Sequence, residues 1–156
     1  MEKIISMTTA IESHEVRPDF LEVSDLIEEL HSSLTGGVAT STPTEAMARL
    51  TSIFRGAPEE VRYEVLTELV GLEYIGAREL LVEALQHDKS ALVRHEAAFG
   101  LGIVGTSRHI TVLKNAMLED PNPMVRHEAA IALAMIGGEE ALAEPVNEMR
   151  HPPFVY

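Results

Sequence analysis

The chain contains no cysteine and no tryptophan, and only 4% of its 156 residues are aromatic. Without cysteine there can be no disulfide framework, no thiolate metal site and no cysteine nucleophile. Any metal would have to be held by histidine and carboxylate side chains, which suit iron and similar ions. The chain has seven histidines, which could supply such ligands.

Basic side chains are scarce as well, since 12 Lys and Arg stand against 25 Asp and Glu, a formal net charge of -13. This balance disfavours nucleic acid and anionic membrane surfaces as partners, because association would begin with repulsion. A cationic amine or a basic protein is a better match.

The first residues lack the apolar segment of a signal peptide, and no later apolar run is long enough to span a bilayer. We therefore expect a soluble, cytoplasmic protein.

Three segments of the chain recur at an interval of 32 residues, centred on Tyr63, His95 and His127. Such a period accommodates two helices and two turns, the unit of an α-solenoid. The second helix of each unit has an apolar stripe at offsets of four, eight and eleven residues, which keeps one face buried. These stripes are Val61, Val65, Leu69 and Leu72; Val93, Ala97, Leu101 and Val104; and Val125, Ala129, Leu133 and Ile136. The sequence predicts an all-α, HEAT-like solenoid of about three to four helix pairs.

Capping residues and glycines set the predicted helix bounds. Ser90 and Asn122 are candidate N-caps, Pro123 suits a first helical turn, and glycines at 71, 105, 137 and 138 mark helix ends. The first helices of the pairs are predicted at about Glu45 to Phe54, Ala77 to Gln86 and His109 to Leu118. A last helix at about Glu139 to Met149 is predicted to close the stack.

The chain divides into an N-terminal extension at 1–42, a repeat domain at 43–150 and a tail at 151–156. The extension contains one predicted helix, Pro18 to Leu34, which the glycines at 36 and 37 end. Its predicted apolar side consists of Leu21, Leu26, Ile27 and Leu30. This helix either caps the solenoid or contacts a partner.

His95 and His127 each follow the first core valine of their helix by two residues, about 200° around the helix. They should point away from the core of their own repeat. Because neighbouring helices pack about 10 Å apart, the two imidazoles could approach one ion. The adjacent glutamates lie about 100° further round, so His and Glu of one pair diverge. Two histidines and a carboxylate from elsewhere make the ligand set that suits Fe(II) with open positions.

The residues after each His-Glu pair are apolar on every side. The outward face of the two helices contains Phe99, Gly102, Ile103, Ile131, Ala134 and Met135. Such a surface is expected to be covered, most simply by a second copy of the chain. The predicted metal ligands would then lie in a water-poor homodimer interface.

Two segments, Ser90 to Glu96 and Asn122 to Ala130, resemble the His-Glu repeats of deoxyhypusine hydroxylase, a HEAT-repeat iron protein. In that family two similar halves each carry two such motifs, and a di-iron centre lies between the halves. The resemblance covers about Pro43 to Val146, one half only, and so implies that two chains rebuild the centre. It implies one iron per protomer, bound by His95, His127 and the Glu96 of the other chain. Glu128 would then be a catalytic carboxylate that orients substrate or supports a ligand.

Structural readings remain open for several of these residues. Arg and Glu of Val-Arg-x-Glu segments commonly join neighbouring repeats, so Glu64, Glu96 and Glu128 taken singly are weak evidence for a site. Tyr63, in the histidine position of the first repeat, is interpreted as a packing residue. The remaining histidines are interpreted as surface or turn residues or as coincidence: His14, His31, His87, His109 and His151.

Two classes of function follow. The first is a non-haem di-iron monooxygenase that uses O₂ as co-substrate. The alternative is a metal-free binding module, similar to the HEAT-like subunits of phycobilin lyases, that grips another protein. A redox-inactive structural metal at the dimer interface lies between them, and the sequence leaves iron and manganese both open.

Overall fold

The structure is a computed structural model that describes residues 18–150, with side chains described over 21–137. Seven α-helices follow one another, with a short 3₁₀ turn at Ser107–His109 and no strand among the described residues. They are α1 Pro18–Thr35, α2 Pro43–Gly56, α3 Glu59–Leu69, α4 Ile75–His87, α5 Ala91–Val104, α6 Ile110–Glu119 and α7 Pro123–Arg150. Helices α2 with α3, α4 with α5, and α6 with α7 form three pairs, which confirms the predicted all-α solenoid.

The second helices of the pairs, α3, α5 and α7, pack on one another, and their predicted stripes lie in the hydrophobic core. The first three positions of every stripe are fully buried, from Val61 in the first repeat to Leu133 in the third. At the fourth position Leu72 is buried, while Val104 and Ile136 are half-buried. The repeats therefore share one continuous core, as stacking requires.

Helix α1 packs against α2 and α3 at the start of the stack. Its buried residues are Val23, Leu26 and Leu30, spaced by three and four, whereas Leu21 is exposed. The prediction of Leu21 in the buried face was wrong, because Val23 and not Leu21 lies in line with Leu26 and Leu30. The helix ends as predicted: Gly36 adopts a positive φ of 79°, and the Gly37 N–H donates to the Ser32 carbonyl at 2.8 Å.

The capping residues act as the sequence suggests. Ser90 accepts hydrogen bonds from the N–H groups of Leu92 and Val93, and the Asn122 side chain accepts from that of Met124. A further cap, Thr42, forms a capping box with Glu45 at the start of α2. The segment Thr42-Pro43-Thr44-Glu45 carries the sequence signature of this motif.

Helix α7 runs without interruption from Pro123 to Arg150. The prediction that Gly137 and Gly138 end one helix, and that a separate one begins at about Glu139, was therefore wrong. Glycine costs helix stability of about 1 kcal/mol but fits helical geometry. No Ser, Thr, Asp or Asn comes directly after the glycines to cap a new helix.

Buried arginines join the repeats on the side where α4 and α6 end. Arg62 donates through Nε and Nη2 to both oxygens of Asp88, and Arg94 donates in the same way to Asp120. The third bond of Arg94 goes to the Asp88 carbonyl at 3.0 Å. Each aspartate thus accepts two hydrogen bonds from an arginine of the preceding repeat, the bidentate geometry that Arg favours.

None of the helices in the described part of the chain combines the length and apolar character needed to cross a bilayer. Met1 to Arg17 and the tail His151 to Tyr156 lie outside the described residues.

Candidate functional site

The histidine positions of the three repeats lie on one side of the solenoid, on α3, α5 and α7. Tyr63 and His95 are half-buried there, and His127 is exposed. The core valines two residues earlier are fully buried. The helical offset of about 200° thus directs these side chains out of the core, as predicted.

His95 contacts the glutamate of the following repeat. Its Nε2 atom lies 3.4 Å from Oε2 of Glu128, and both side chains are largely shielded from solvent. The contact pairs one imidazole with one carboxylate between α5 and α7. Such a carboxylate can fix the orientation of a histidine ring.

Glu96 contacts the preceding repeat instead. The Thr67 hydroxyl donates to its Oε1 at 3.3 Å, and Tyr63 makes a side-chain hydrogen bond to it. The negative charge of Glu96, with the burial of the ring, raises the pKa of Tyr63 above its usual value. His95 and Glu96 are adjacent in sequence yet contact opposite neighbours, as the helical angle predicts.

His127 lies on the last of the three repeats, at the position equivalent to Tyr63 and His95. Over the described residues it makes no hydrogen bond or ion pair. Nor do any three His, Asp or Glu side chains of the described part come close enough together to hold a metal ion. His95 and Glu128 are in contact, but no third His, Asp or Glu of the described part joins them in a group that could hold a metal ion.

An apolar stripe lies beside the two histidines. We use this name for six side chains on α5 and α7 that are between 40% and 60% exposed: Leu92, Phe99, Ile103, Met124, Ile131 and Met135. Sequence reasoning found four of them and missed Leu92 and Met124, which precede Phe99 and Ile131 by seven residues. A spacing of seven residues is nearly two helical turns, so the sequence does place Leu92 and Met124 on the same helix faces as Phe99 and Ile131.

Gly102 was predicted on the outward face, but it is buried between the two helices. A Cβ atom at this position would lie 3.1 Å from both Cα and Cβ of Ala132. The absence of a side chain at Gly102 therefore lets α5 and α7 approach closely, which brings the two His-bearing helices together.

The other histidines lie away from this face. His31 and His87 are exposed at the ends of α1 and α4, and His109 lies in the 3₁₀ turn, where its Nδ1 accepts from the Thr106 N–H at 2.9 Å. His14, with its neighbour Glu15, and His151 fall outside the described residues. Glu64, the first-repeat equivalent of Glu96 and Glu128, is exposed.

Comparison with known families agrees with this architecture. A family of HEAT repeats matches residues 47–134, more than half of the chain. The chain belongs to the HEAT-repeat family. The PBS lyase HEAT-like repeat additionally matches residues 125–144, within α7. No curated protein matches the chain.

Proposed function

We propose that this HEAT-repeat protein is a homodimeric non-haem iron protein in which two protomers complete a di-iron site. The observation that carries the proposal is that His95 and His127 occupy equivalent positions on adjacent repeats, beside an exposed apolar stripe. In an otherwise acidic chain, such a stripe favours burial against another protein surface.

The donor groups of one protomer fit half of such a site. Each iron would be held by His95 and His127 of one chain and by Glu96 of the partner subunit. Because Glu96 accepts from Thr67 within its own chain, it would have to exchange this contact for the metal. Glu128, which contacts His95, would keep the imidazole in position. The resemblance of the His-Glu segments to deoxyhypusine hydroxylase supports the same ligand set.

The chemistry we propose is monooxygenation, which makes the chain an enzyme. Iron with open coordination positions activates O₂, a reaction that protein side chains do not perform alone. One oxygen atom would enter a C–H bond of the substrate and the other would leave as water, with two electrons from an external reductant. The stripe excludes water from the reacting centre. The net charge of -13 favours an amine or a basic protein as substrate.

The test is the iron content of the full chain, loaded anaerobically with Fe(II), desalted and measured by elemental mass spectrometry together with its mass in solution. We expect about one iron per chain in a dimer. His95→Ala and His127→Ala should each abolish uptake. His87→Ala, which removes an exposed histidine outside the site, is the matched control and should not change it.

Folded protein that binds no iron would overturn the proposal. Two metals per dimer retained by both histidine variants would overturn the ligand assignment. Iron that is bound but consumes no O₂ with a reductant and candidate amines would indicate a structural metal instead of an enzyme.

A second candidate is a metal-free scaffold that binds another protein. It is favoured by the finding that Glu96 and Glu128 both already have partners within the chain. The match to the PBS lyase HEAT-like repeat is also consistent with it. This reading predicts a monomer without metal that keeps its partner after His95→Ala.

A further inference from the structure

A cleft lies between the start of α4 and the α5–α6 connection, away from the His95 face. Its volume is about 490 Å³, within the range of small-molecule sites. The lining residues are Ile75, Arg78, Glu79, Thr106, Ser107, Arg108 and His109. None of these belongs to the His95 face, so the cleft is independent of the proposed iron site.

The cleft contains two arginines that have no carboxylate partner in the part of the chain that the structure describes. Arg49, Arg55, Arg62 and Arg94 all form ion pairs. Among the described residues Arg78, Arg108 and Arg126 form none, although acidic side chains outnumber basic ones two to one, and the first two line this cleft. Two unpaired guanidinium groups that line the same cleft in so acidic a chain favour an anionic ligand.

Arg78 is held in place by the backbone. Its Nε donates to the Val104 carbonyl at 2.7 Å, which leaves the two terminal nitrogens of the guanidinium group as free donors. A fixed guanidinium loses little entropy when it binds an oxyanion. Arg108, by contrast, is exposed and can close on a ligand from the opposite wall.

The remaining polar groups add donors. Thr106 and Ser107 contribute hydroxyls to the lining. Because the Thr106 N–H donates to Nδ1 of His109, the neutral ring carries its proton on Nε2, where it can donate. Ile75 supplies an apolar wall, and Glu79 is the one carboxylate of the lining.

We propose that this cleft binds a small molecule that carries a phosphate group. The two arginines and the hydroxyls bind the phosphate oxygens, and Ile75 contacts the organic part. Arginine is the side chain best suited to phosphate, because its planar fork donates two parallel hydrogen bonds. Glu79 repels the anion and so limits its affinity.

The test uses the full, isotope-labelled chain titrated with inorganic phosphate and, separately, with acetate, followed by amide NMR shifts at about 0.15 M salt. At that ionic strength the Debye length is about 8 Å, so the distant negative charges are screened. We expect saturable shifts around residues 75–79 and 106–109 with phosphate, and weaker ones with acetate.

Two variants of the cleft should change its phosphate affinity in opposite directions. Arg108→Gln should weaken phosphate binding about tenfold, because it removes a charge-assisted hydrogen bond at an exposed position. Glu79→Gln should tighten it, and Arg49→Gln, which lies outside the cleft, should leave it unchanged. Absence of saturable shifts, equal affinity for acetate, or an unaltered affinity in Arg108→Gln would each overturn the proposal.

Discussion

The Nε2 atom of His95 lies 3.4 Å from Oε2 of Glu128, across the boundary between the second and third repeats. Tyr63 and Glu96 make the equivalent contact between the first and second repeats. In both cases the residue of one repeat meets the glutamate 33 positions later. This row of pairs ends at His127, for which the chain has no fourth equivalent among the described residues.

Glu128→Ala should leave most of the iron in place and reduce turnover. The reason is that Glu128 orients His95 and does not itself complete the metal site, so metal affinity should fall by about 10- to 100-fold but should not be abolished. Iron content and O₂ consumption of the variant measure the two effects separately. Glu64→Ala, the equivalent exposed change in the first repeat, should alter neither. Loss of iron as complete as in His95→Ala would instead make Glu128 a ligand.

Phe99→Asp should convert the proposed dimer to a monomer. Phe99 lies in the apolar stripe, and a charge buried at such an interface costs several kcal/mol. Analytical ultracentrifugation gives the mass of each variant. Leu21→Asp makes the same change at an exposed leucine of α1, outside the stripe, and should leave the dimer intact. A dimer that survives Phe99→Asp would place the interface elsewhere.

Arg94→Ala should lower the free energy of unfolding by about 3 kcal/mol, because it leaves the Asp120 carboxylate buried without its partner. The side chains of this pair are only 12% and 6% exposed. Arg55→Ala breaks a pair of similar geometry that is 63% and 33% exposed, and should cost less than about 1 kcal/mol. Urea unfolding at neutral pH compares the two variants. Equal costs would show that burial does not decide the strength of these pairs.

The Arg94–Asp120 pair also makes the free energy of unfolding depend on pH in the acid range. Burial raises the pKa of Asp120, but hydrogen bonds from Arg94 and from the Asn122 N–H outweigh it, so the pKa lies below its usual value. The stability this provides is complete above the unfolded-state pKa of about 3.9 and is lost as pH falls through the lowered value. Asp120→Asn should therefore lose stability at neutral pH and show a smaller further loss in acid.

Glu96→Gln should bring the pKa of Tyr63 down towards its ordinary value. The main cause of its raised pKa is the negative charge of Glu96, which the substitution removes. Absorbance titration of the phenolate, with Tyr63→Phe to assign the signal, measures the change. Glu68→Gln removes an exposed carboxylate of α3 and is the control. An unchanged titration in Glu96→Gln would mean that burial alone determines the shift.

Gly102→Val should destabilise the fold by about 1–3 kcal/mol, since the added atoms would meet the backbone of Ala132. Gly56→Val is the matched control, because nothing lies within 4 Å of a Cβ at that position. Thermal unfolding compares them. Because Gly102 sets the approach of α5 and α7, the variant should also bind iron more weakly than the control.

Most of the fold could be predicted from the sequence, because a buried helix face repeats its apolar residues at a fixed period. Val61, Val93 and Val125 mark that face at equal intervals. Leu21 was wrongly assigned to the buried face of α1, because both Leu21 and Val23 are apolar. Only the packing of α1 on α2 and α3 decides which of the two is buried. The continuation of α7 through Gly137 was missed because glycine permits a helix as well as an end.

The site was predictable in its positions but not in its contacts. The period places His95 and His127 at equivalent points, and the helical angle separates them from their glutamates. Which neighbour each glutamate reaches depends on the stagger between adjacent helices, which periodicity does not encode. The pairing of Thr67 with Glu96 and the close approach at Gly102 depend on the same stagger.

The Arg62–Asp88 and Arg94–Asp120 ion pairs have a consequence for how such a solenoid can gain repeats. Arg62 reaches Asp88 and Arg94 reaches Asp120 over the same sequence distance, and each joint involves only successive repeats. A duplicated unit inserted after Asp120 would therefore find a matching partner on both sides without rearranging the rest. The repeats are therefore modular units, and the length of the solenoid can change by one whole repeat at a time.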